Sequence, residues 1–448
     1  MLNIQFIKDN KDAIKQNILN RRFDPKKADI DRLLELDKQR VDMQTKVDNA
    51  RAERNKFSHE LQKNHDSKLI EQARGLKTQI GQLEDDLNKI QTEWKSIMDW
   101  IPNLKLDEVP IGRNETENVE IKAWSPKLGY VSEVGKADQK MDLFGSMSDG
   151  DFKPIPHWEL GKKLDILDLE VGAKVSGSRF YYLKGAGALM MYGIFDILTK
   201  KLLSEGFTPM EVPILVKGPA LYGSSQFPAD EDQIYKIETK YVEDDNQLYL
   251  VGSSEPPLFA YFSDRIIPEK NLPVKVFANT PCFRSEAGSW GKDIRGMKRV
   301  HQFKKLEMDM VIKPDLDEAR KMHEYLLGIN EWLLQTLKIP YHVINMCTGD
   351  LGYAAAAKKY DIEVWLASEG KWMETMSDSI TTDFQTRRFN IKSQGDDGQK
   401  TFAYTLNDTG ATDRLLIAIM EHYQQLDGSL KVPEVLKEYV GAEVINQG

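Results

Sequence analysis

Cysteine is nearly absent from this chain: of 448 residues only Cys282 and Cys347 carry a thiol. They lie far apart and form no CxxC pair, which argues against a disulfide framework and against a cysteine-rich zinc site. Histidine offers no substitute, because His157, His301, His323, His342 and His422 are scattered without ligand spacing and suit ordinary structural roles. Long hydrophobic runs are lacking too, and no apolar stretch approaches the length of a membrane span. The start, Met1-Leu2-Asn3-Ile4-Gln5-Phe6, leads into alternating charge without a signal-peptide core, so a cytoplasmic protein without membrane partners is expected. Positive charge is not in excess. The formal net charge is −9, and an RNA partner would have to be met by locally basic surface. What remains is a globular composition, 41% hydrophobic and 29% charged, with length for about two or three domains.

Proline is missing, and glycine nearly so, from Ala28 to about Asn64 and from Ser67 to about Trp100. In the second stretch Ala73, Leu76, Ile80, Leu83, Leu87, Ile90, Trp94, Ile97 and Ile101 alternate at spacings of three and four, a heptad seam. The first stretch repeats the spacing at Leu33, Leu36, Arg40, Met43, Val47, Ala50, Arg54, Phe57 and Leu61, with the two arginines as polar breaks. Asn64-His65-Asp66-Ser67 between them suits a tight reversal and a serine N-cap. The spacing predicts an antiparallel helical hairpin projecting roughly 50 Å at ~1.5 Å per residue. Such an arm serves packing, dimerisation, or the probing of a long, shaped partner. Lys46, Arg51, Arg54, Lys56, Lys63, Lys68, Arg74 and Lys77 gather toward its tip half, interspersed with Glu53, Glu60, Asp66 and Glu71.

Pro102 is expected to end the second helix, and Val109 to about Pro156 reads as a linker with short strands. A mixed α+β region follows. Helices are expected at Asp165–Gly172, Ala188–Gly206 and Arg414–Leu426. Strands are expected at Thr208–Val216 and Leu248–Val251. Phe277–Phe283 and Val300–Met310 are expected to pair, with the polar, glycine-rich loop Ser285–Lys298 between them.

That loop opens with Phe283-Arg284-Ser285-Glu286-Ala287-Gly288-Ser289 and closes with Arg299-Val300-His301-Gln302-Phe303-Lys304-Lys305-Leu306-Glu307. Arginine offers a planar fork for phosphate oxygens, a carboxylate can read an exocyclic amine, and phenylalanine can stack on a purine. Each residue alone suits an ordinary surface charge or core aromatic equally well. Together their order resembles motif 2 of the class II aminoacyl-tRNA synthetases, in the version of the seryl family.

The resemblance runs along nearly the whole chain. The opening MLNIQFIKDN and the helical hairpin are similar to that family's start and its tRNA-binding arm. Gly206-Phe207-Thr208-Pro209-Met210-Glu211-Val212-Pro213 looks like the dimer-forming motif 1. Cys347-Thr348-Gly349-Asp350-Leu351-Gly352, Tyr360-Asp361-Ile362-Glu363-Val364-Trp365 and the end from Tyr423-Gln424-Gln425 to Leu436 also look like family signatures. The resemblance implies an α+β fold: an N-terminal antiparallel coiled-coil hairpin plus a catalytic domain with a mostly antiparallel β-sheet flanked by helices. The expected division is 1–112 for the arm, with the coiled coil at about 28–101, and 113–448 for the catalytic domain.

Residue by residue, the resemblance implies that Arg284 clamps the ATP α-phosphate and the serine carboxyl end. It gives the adenine amine to Glu286, adenine stacking to Phe303, and the triphosphate tail to Arg299 and the motif 3 residue Arg414. Ser285, Val300, His301, Gln302, Thr375 and Met376 fall within its ATP-binding segments. Ser253-Ser254-Glu255 resembles the amino-acid loop, with a serine hydroxyl where threonine is usual. Glu307, Asn407 and Thr409 complete the expected serine site, and Glu374 with Ser377 is the expected pair for Mg²⁺, a hard ion that favours oxygen. Expected partners are tRNA(Ser), with tRNA(Sec) as a second candidate, L-serine, ATP and a second copy in a homodimer. Trp290 is a candidate contact for the tRNA acceptor end, or for subunit packing.

Two places depart from the family pattern. Ser377-Asp378-Ser379-Ile380-Thr381-Thr382 puts an added carboxylate, Asp378, next to an expected metal ligand, where an outer-shell role is available to it. Between Asn407 and Arg414 the motif is one residue shorter than the resemblance implies, and Asp413 precedes the arginine, which is expected to shift or partly neutralise it. Two other functions compete: a synthetase-like enzyme that activates a small amino acid for a non-tRNA carrier, and a non-catalytic RNA-binding paralogue.

Overall fold

A computed structural model describes residues 1–61, 67–131, 154–238, 246–287, 295–352 and 354–447. By its contacts the chain forms two compact units, Met1–Leu104 and Lys105–Gly448.

In the first unit, helices α1 (Ile4–Asp9) and α2 (Lys11–Asn20) precede two long helices, α3 (Ile30–Leu61) and α4 (Ser67–Met98). Asn3 caps α1, its side chain accepting from the Gln5 amide at 2.7 Å. The heptad positions Leu33, Leu36, Val47 and Ala50 of α3 are buried, as are Ile80, Leu87 and Ile97 of α4. Burial relaxes along the hairpin, since Phe57, Ala73 and Leu76 are only half-buried. The ion pairs Arg32–Glu93 at 2.7 Å and Arg51–Glu84 at 2.7 Å join the helices, but exposed pairs contribute at most about 1 kcal/mol each. The apolar seam therefore carries the pairing. Arg40 is absorbed by an ion pair to Asp37 at 2.9 Å, with its guanidinium 5.3 Å from the Trp94 ring centre. Asp37 is buried and also held by Lys8 of α1 at 2.6 Å. Helix α4 ends at Met98, ahead of Pro102. The expected reversal at Asn64-His65-Asp66 lies outside the described residues.

The second unit is built on a nine-stranded sheet. In chain order its strands are β1 (Val119–Ser125), β2 (Gly129–Val131), β3 (Thr208–Pro209), β4 (Val274–Phe283), β5 (Gln302–Ile312), β6 (Tyr341–Asn345), β7 (Lys358–Leu366), β8 (Lys371–Thr382) and β9 (Tyr404–Thr412). They lie side by side as β2-β1-β6-β7-β8-β9-β5-β4-β3, antiparallel throughout except for the β3–β4 pair. The expected pairing of the two motif 2 strands is present, with Phe283 opposite Gln302 and Val274 opposite Val311.

Alternation along the central strands separates two faces. Leu306, Met308, Met310, Ile362, Met376, Ile380 and Leu406 join the main core with Leu326, Leu333 and Leu334 of helix α8 (Leu316–Thr336) and Leu198 of α6 (Gly185–Ser204). The intervening Lys305, Glu307, Lys359, Ser377, Ser379, Asn407 and Thr409 line a cavity on the opposite face. A polar residue in every second place is thus the chemistry of one sheet face.

Several local expectations change. Only its C-terminal part of Asp165–Gly172 is helical: Leu167–Asp168 is a strand, and helix begins at Leu169 with Asp168 as its cap. A further helix, α5 (His157–Lys163), was not anticipated. Thr208–Val216 is two short strands, because Pro209 and Pro213 cannot donate to a continuous ladder. Within the segment expected to be a linker with short strands, β1 is a full member of the large sheet, paired with β6. Residues 105–112, assigned by sequence to the arm, pack with the second unit: the Leu106 amide donates to the Ala357 carbonyl at 2.9 Å, and Val109 clusters with Ile344 and Met346.

Candidate active site

Two adjoining cavities of about 110 and 400 Å³ open over the polar face, sharing Arg284, Glu286, Arg299, Lys305, Glu374, Ser377 and Thr409. The smaller adds Phe303, Val300, Thr375 and Arg414; the larger adds Ser253, Glu255, Glu307 and Asn407. Residues from 253 to 414 in the chain therefore converge because β5, β7, β8 and β9 are neighbours.

In the smaller cavity the Arg284 guanidinium lies 5.3 Å from the Phe303 ring centre and donates to the Gly252 carbonyl at 3.3 Å. Glu286 has φ of 51°, a left-handed conformation that costs a non-glycine residue on the order of 1 kcal/mol. Arg299 meets its carboxylate at 3.3 Å, and Arg179 donates to its carbonyl at 3.5 Å. A planar aromatic, a carboxylate and two cations side by side suit a purine nucleotide.

Two bulges aim the remaining groups. Between Ile362 and Glu363 the β7–β8 register passes over Thr375, whose hydroxyl donates to the Ile362 carbonyl at 3.0 Å. Without it, Glu374 and Ser377 would project from opposite faces; with it, both line the cavities. Between Leu306 and Glu307 the β5–β9 register passes over Gly410, leaving Glu307 directly opposite Thr409. A Cβ at Gly410 would come within 2.8 Å of Leu198, so glycine lets α6 close on the sheet there.

Glu307 is buried at the base of the larger cavity and ion-paired with Lys305, which also donates to the Ser253 hydroxyl at 3.1 Å. Burial pushes the Glu307 carboxyl up, and Lys305 opposes the shift. Glu255 accepts from Gln385 at 2.6 Å and from Asn407 at 2.8 Å. These groups form a small polar pocket with carboxylates for an ammonium and hydroxyls for a short polar side chain.

Arg414 opens the helix that follows β9 and reaches into the smaller cavity. Its guanidinium donates to the Glu374 carbonyl at 2.8 Å, the Glu374 carboxylate at 3.2 Å and the Lys298 carbonyl at 3.3 Å. Burial works against Glu374 ionising, but Arg414, Lys359 and Arg284 outweigh it and hold the carboxyl down to about 2. Asp413 does not pair with Arg414. Its carboxylate accepts from the Lys304 amide at 3.1 and 3.2 Å and from the Tyr181 hydroxyl.

Asp378 also departs from expectation. It faces away from Ser377, beneath α8, directly opposite Asp408 on β9. His323 lies 3.5 Å from Asp378, and Asn330 donates to Asp408 at 2.7 Å. Burial, and for Asp378 the facing Asp408, push both carboxyls well above the usual range. An outer-shell role toward a metal at Ser377 is excluded by this side of the sheet.

Among the other expected site residues, Ser254, Ser285, His301, Gln302 and Met376 line neither cavity. Ser285 donates to the Asp232 carbonyl at 2.5 Å, His301 meets the Tyr235 hydroxyl at 2.9 Å, and Met376 belongs to the core. Trp290 lies outside the described residues. Sequence reasoning missed Lys305, although it stands inside the quoted motif, and Lys359, which pairs with Asp361 at 2.9 Å. Alternation with Glu307 was the available signal for the first.

The family model described as "tRNA synthetase class II core domain (G, H, P, S and T)" matches residues 235–423, and that described as "Seryl-tRNA synthetase N-terminal domain" matches residues 1–105. The chain belongs to the seryl-tRNA synthetase family. It is 38% identical to a serine–tRNA ligase of Dictyoglomus turgidum, covering 99% of both chains, and 38% identical to one of Thermococcus sibiricus, covering 99% of this chain and 97% of that one. Among solved structures it is similar to seryl-tRNA synthetase of Pyrococcus horikoshii complexed with ATP, with a TM-score of 0.85, 34% identity and full coverage of both chains. The cytoplasmic serine–tRNA ligase of Naegleria fowleri in complex with AMP aligns with a TM-score of 0.79 and 27% identity, over 100% of this chain and 99% of that one.

Proposed function

We propose that this chain is a serine–tRNA ligase that uses ATP to attach L-serine to tRNA(Ser) through a seryl-adenylate. The observation that carries the proposal is the continuity of the two cavities, which sets the Arg284–Phe303 nucleotide end against the Glu307–Thr409 pocket. A serine carboxylate oxygen attacks the α-phosphorus, the bond to the β-phosphate oxygen breaks, and pyrophosphate leaves. A ribose hydroxyl at the tRNA 3′ end then attacks the activated carbonyl and AMP leaves. Neither step needs a side-chain nucleophile; positioning and neutralisation of phosphate charge supply the catalysis.

In this reading Arg284 holds the α-phosphate and the serine carboxyl end, Glu286 reads the adenine amine, and Phe303 stacks the base. Arg299 and Arg414 take the β- and γ-phosphates. Glu307 and Thr409 pair with the substrate hydroxyl, while Ser253, Glu255 and Glu307 receive its ammonium. A site built to bond a hydroxyl rejects alanine by roughly 10⁴-fold, because its own buried groups would be left unpaired.

Mg²⁺ fits the donor set. Among the described residues no cluster of three or more His, Cys, Asp or Glu side chains suits a metal. The Glu374 carboxylate and Ser377 hydroxyl form the sparse oxygen pair expected when a cation is held largely by substrate phosphates. Bound there, the ion would neutralise phosphate charge, while Glu374 and Ser377 hold its position.

The α3–α4 hairpin is the proposed tRNA-binding arm; tRNA(Sec) is a second candidate substrate. A homodimer is supported by α6, which leaves Leu189, Tyr192 and Leu203 exposed at 38%, 61% and 50%. Among the described residues no helix is long and apolar enough to cross a membrane, and we assign the enzyme to the cytoplasm.

Amino-acid-dependent ATP–pyrophosphate exchange, followed by transfer to purified tRNA, tests the proposal. Serine alone should support exchange, and tRNA(Ser) should accept the product. Absence of serine-dependent exchange would sink the proposal, and exchange without charging would point to a different carrier.

A further inference from the structure

At the phosphate end of the smaller cavity, whose wall includes Met297 and Lys298, four segments distant in sequence are joined by polar contacts that close on themselves. The Met297 amide, just before Arg299, donates to Nε2 of His157 at 3.0 Å. The His157 amide, at the start of α5, donates to the Glu421 carboxylate at 3.2 Å. That carboxylate, on α9 (Arg414–Tyr423), also accepts from the Ser368 amide at 3.0 Å and the Ser368 hydroxyl at 2.9 Å. Adjacent Glu369, in the β7–β8 turn, receives Nζ of Lys298 on both oxygens at 2.9 and 2.8 Å. Lys298 follows Met297, so the circuit is complete.

The circuit is mostly buried: His157 and Glu421 are fully so, and the Lys298 and Glu369 side chains are 9% and 16% exposed. Burial, with Lys298 nearby, pulls His157 down to about 3, so the ring stays neutral and Nε2 remains an acceptor. The one cation–carboxylate link is forked and shielded, unlike the exposed pairs of the hairpin.

Arg414 hangs from this circuit at two points. It is the first residue of the helix that bears Glu421, and its Nε donates to the Lys298 carbonyl. Lys298, Glu369 and Arg414 also line a side cavity of about 170 Å³ with Arg299, Lys371 and Glu374. We infer that Lys298, Glu369, Glu421 and His157 are positioning residues for Arg414, fixing its guanidinium where the outer phosphates of ATP bind. The circuit thereby ties the start of the Arg414 helix to the segment before Arg299 and to the β7–β8 turn. This inference rests on the proposed role of Arg414.

The test is serine-dependent ATP–pyrophosphate exchange by the full-length chain carrying Lys298→Met, Glu369→Gln or the exchanged pair Lys298→Glu with Glu369→Lys, beside Arg414→Ala. Misplacing a binding group by about an ångström costs up to roughly 100-fold, so either single variant should raise the KM for ATP by about 10- to 100-fold. The KM for serine and the inhibition constant of AMP, which lacks the outer phosphates, should not move, and the exchanged pair should recover part of the loss. If Arg414→Ala weakens ATP but Lys298→Met does not, the positioning role is wrong while the reading of Arg414 stands. If Arg414→Ala leaves ATP unaffected, that reading fails and the inference with it. Parallel loss of ATP, AMP and serine binding in Lys298→Met would reduce the circuit to general scaffolding and overturn it.

Discussion

Glu307 on β5 stands directly opposite Thr409 on β9, one step from the place where the register passes over Gly410. The pair is buried at the base of the larger cavity, where an unmatched polar group costs about 1–3 kcal/mol, more if charged. Thr409→Val keeps the shape and removes the hydroxyl. It should raise the KM for serine about 10-fold or more and narrow the preference for serine over alanine. Glu307→Ala should weaken serine far more than ATP; equal losses for both would count against its assignment.

Arg414 and Glu374 are in contact at 3.2 Å. In the proposed site each has a new partner when ATP is bound, Arg414 the outer phosphates and Glu374 the cation. Glu374→Gln should therefore increase the magnesium concentration needed for half-maximal exchange several-fold. A magnesium titration identical to that of the unmodified enzyme would remove Glu374 from the metal site.

Asp413 provides a pH signature. Burial raises its carboxyl to about 7, against 3.8 for the ordinary group, and the Lys304 amide only partly offsets this. The folded chain thus keeps a proton that the unfolded chain releases, so stability present below about pH 4 is lost as pH rises toward 7. Asp413→Asn cannot ionise and should gain on the parent across that window, by up to a few kcal/mol. Thermal melts of both proteins at pH 5 and pH 8 would reveal this; a constant difference in Tm would contradict it.

Because the described residues that line the two cavities all belong to Lys105–Gly448, replacing 28–100 by a short linker should leave serine-dependent exchange within about two-fold. Charging of tRNA(Ser) should fall below detection. Undiminished charging would mean that the hairpin is a packing device.

The sequence by itself determined what recurs at short range. The heptad spacing in α3 and α4 encodes the hairpin, because a helical face is set by spacing alone. Phe283 to Glu307 encodes half of the site, because two adjacent strands and their connection lie in one continuous segment. Alternation in β5 likewise marks Lys305 as a partner of Glu307.

The tertiary structure decided everything that depends on which strands become neighbours. The bulge at Thr375 turns Glu374 and Ser377 to one face, and sheet polarity sends Asp378 to the other, toward Asp408 and α8. Neither outcome is visible in a list of residues, since one extra residue in a strand reverses every side chain beyond it. Lys298 is the extreme case. Its partners come from residues 369 and 414, and the circuit closes through 157 and 421, so only the packed sheet and helices could show what holds Arg414.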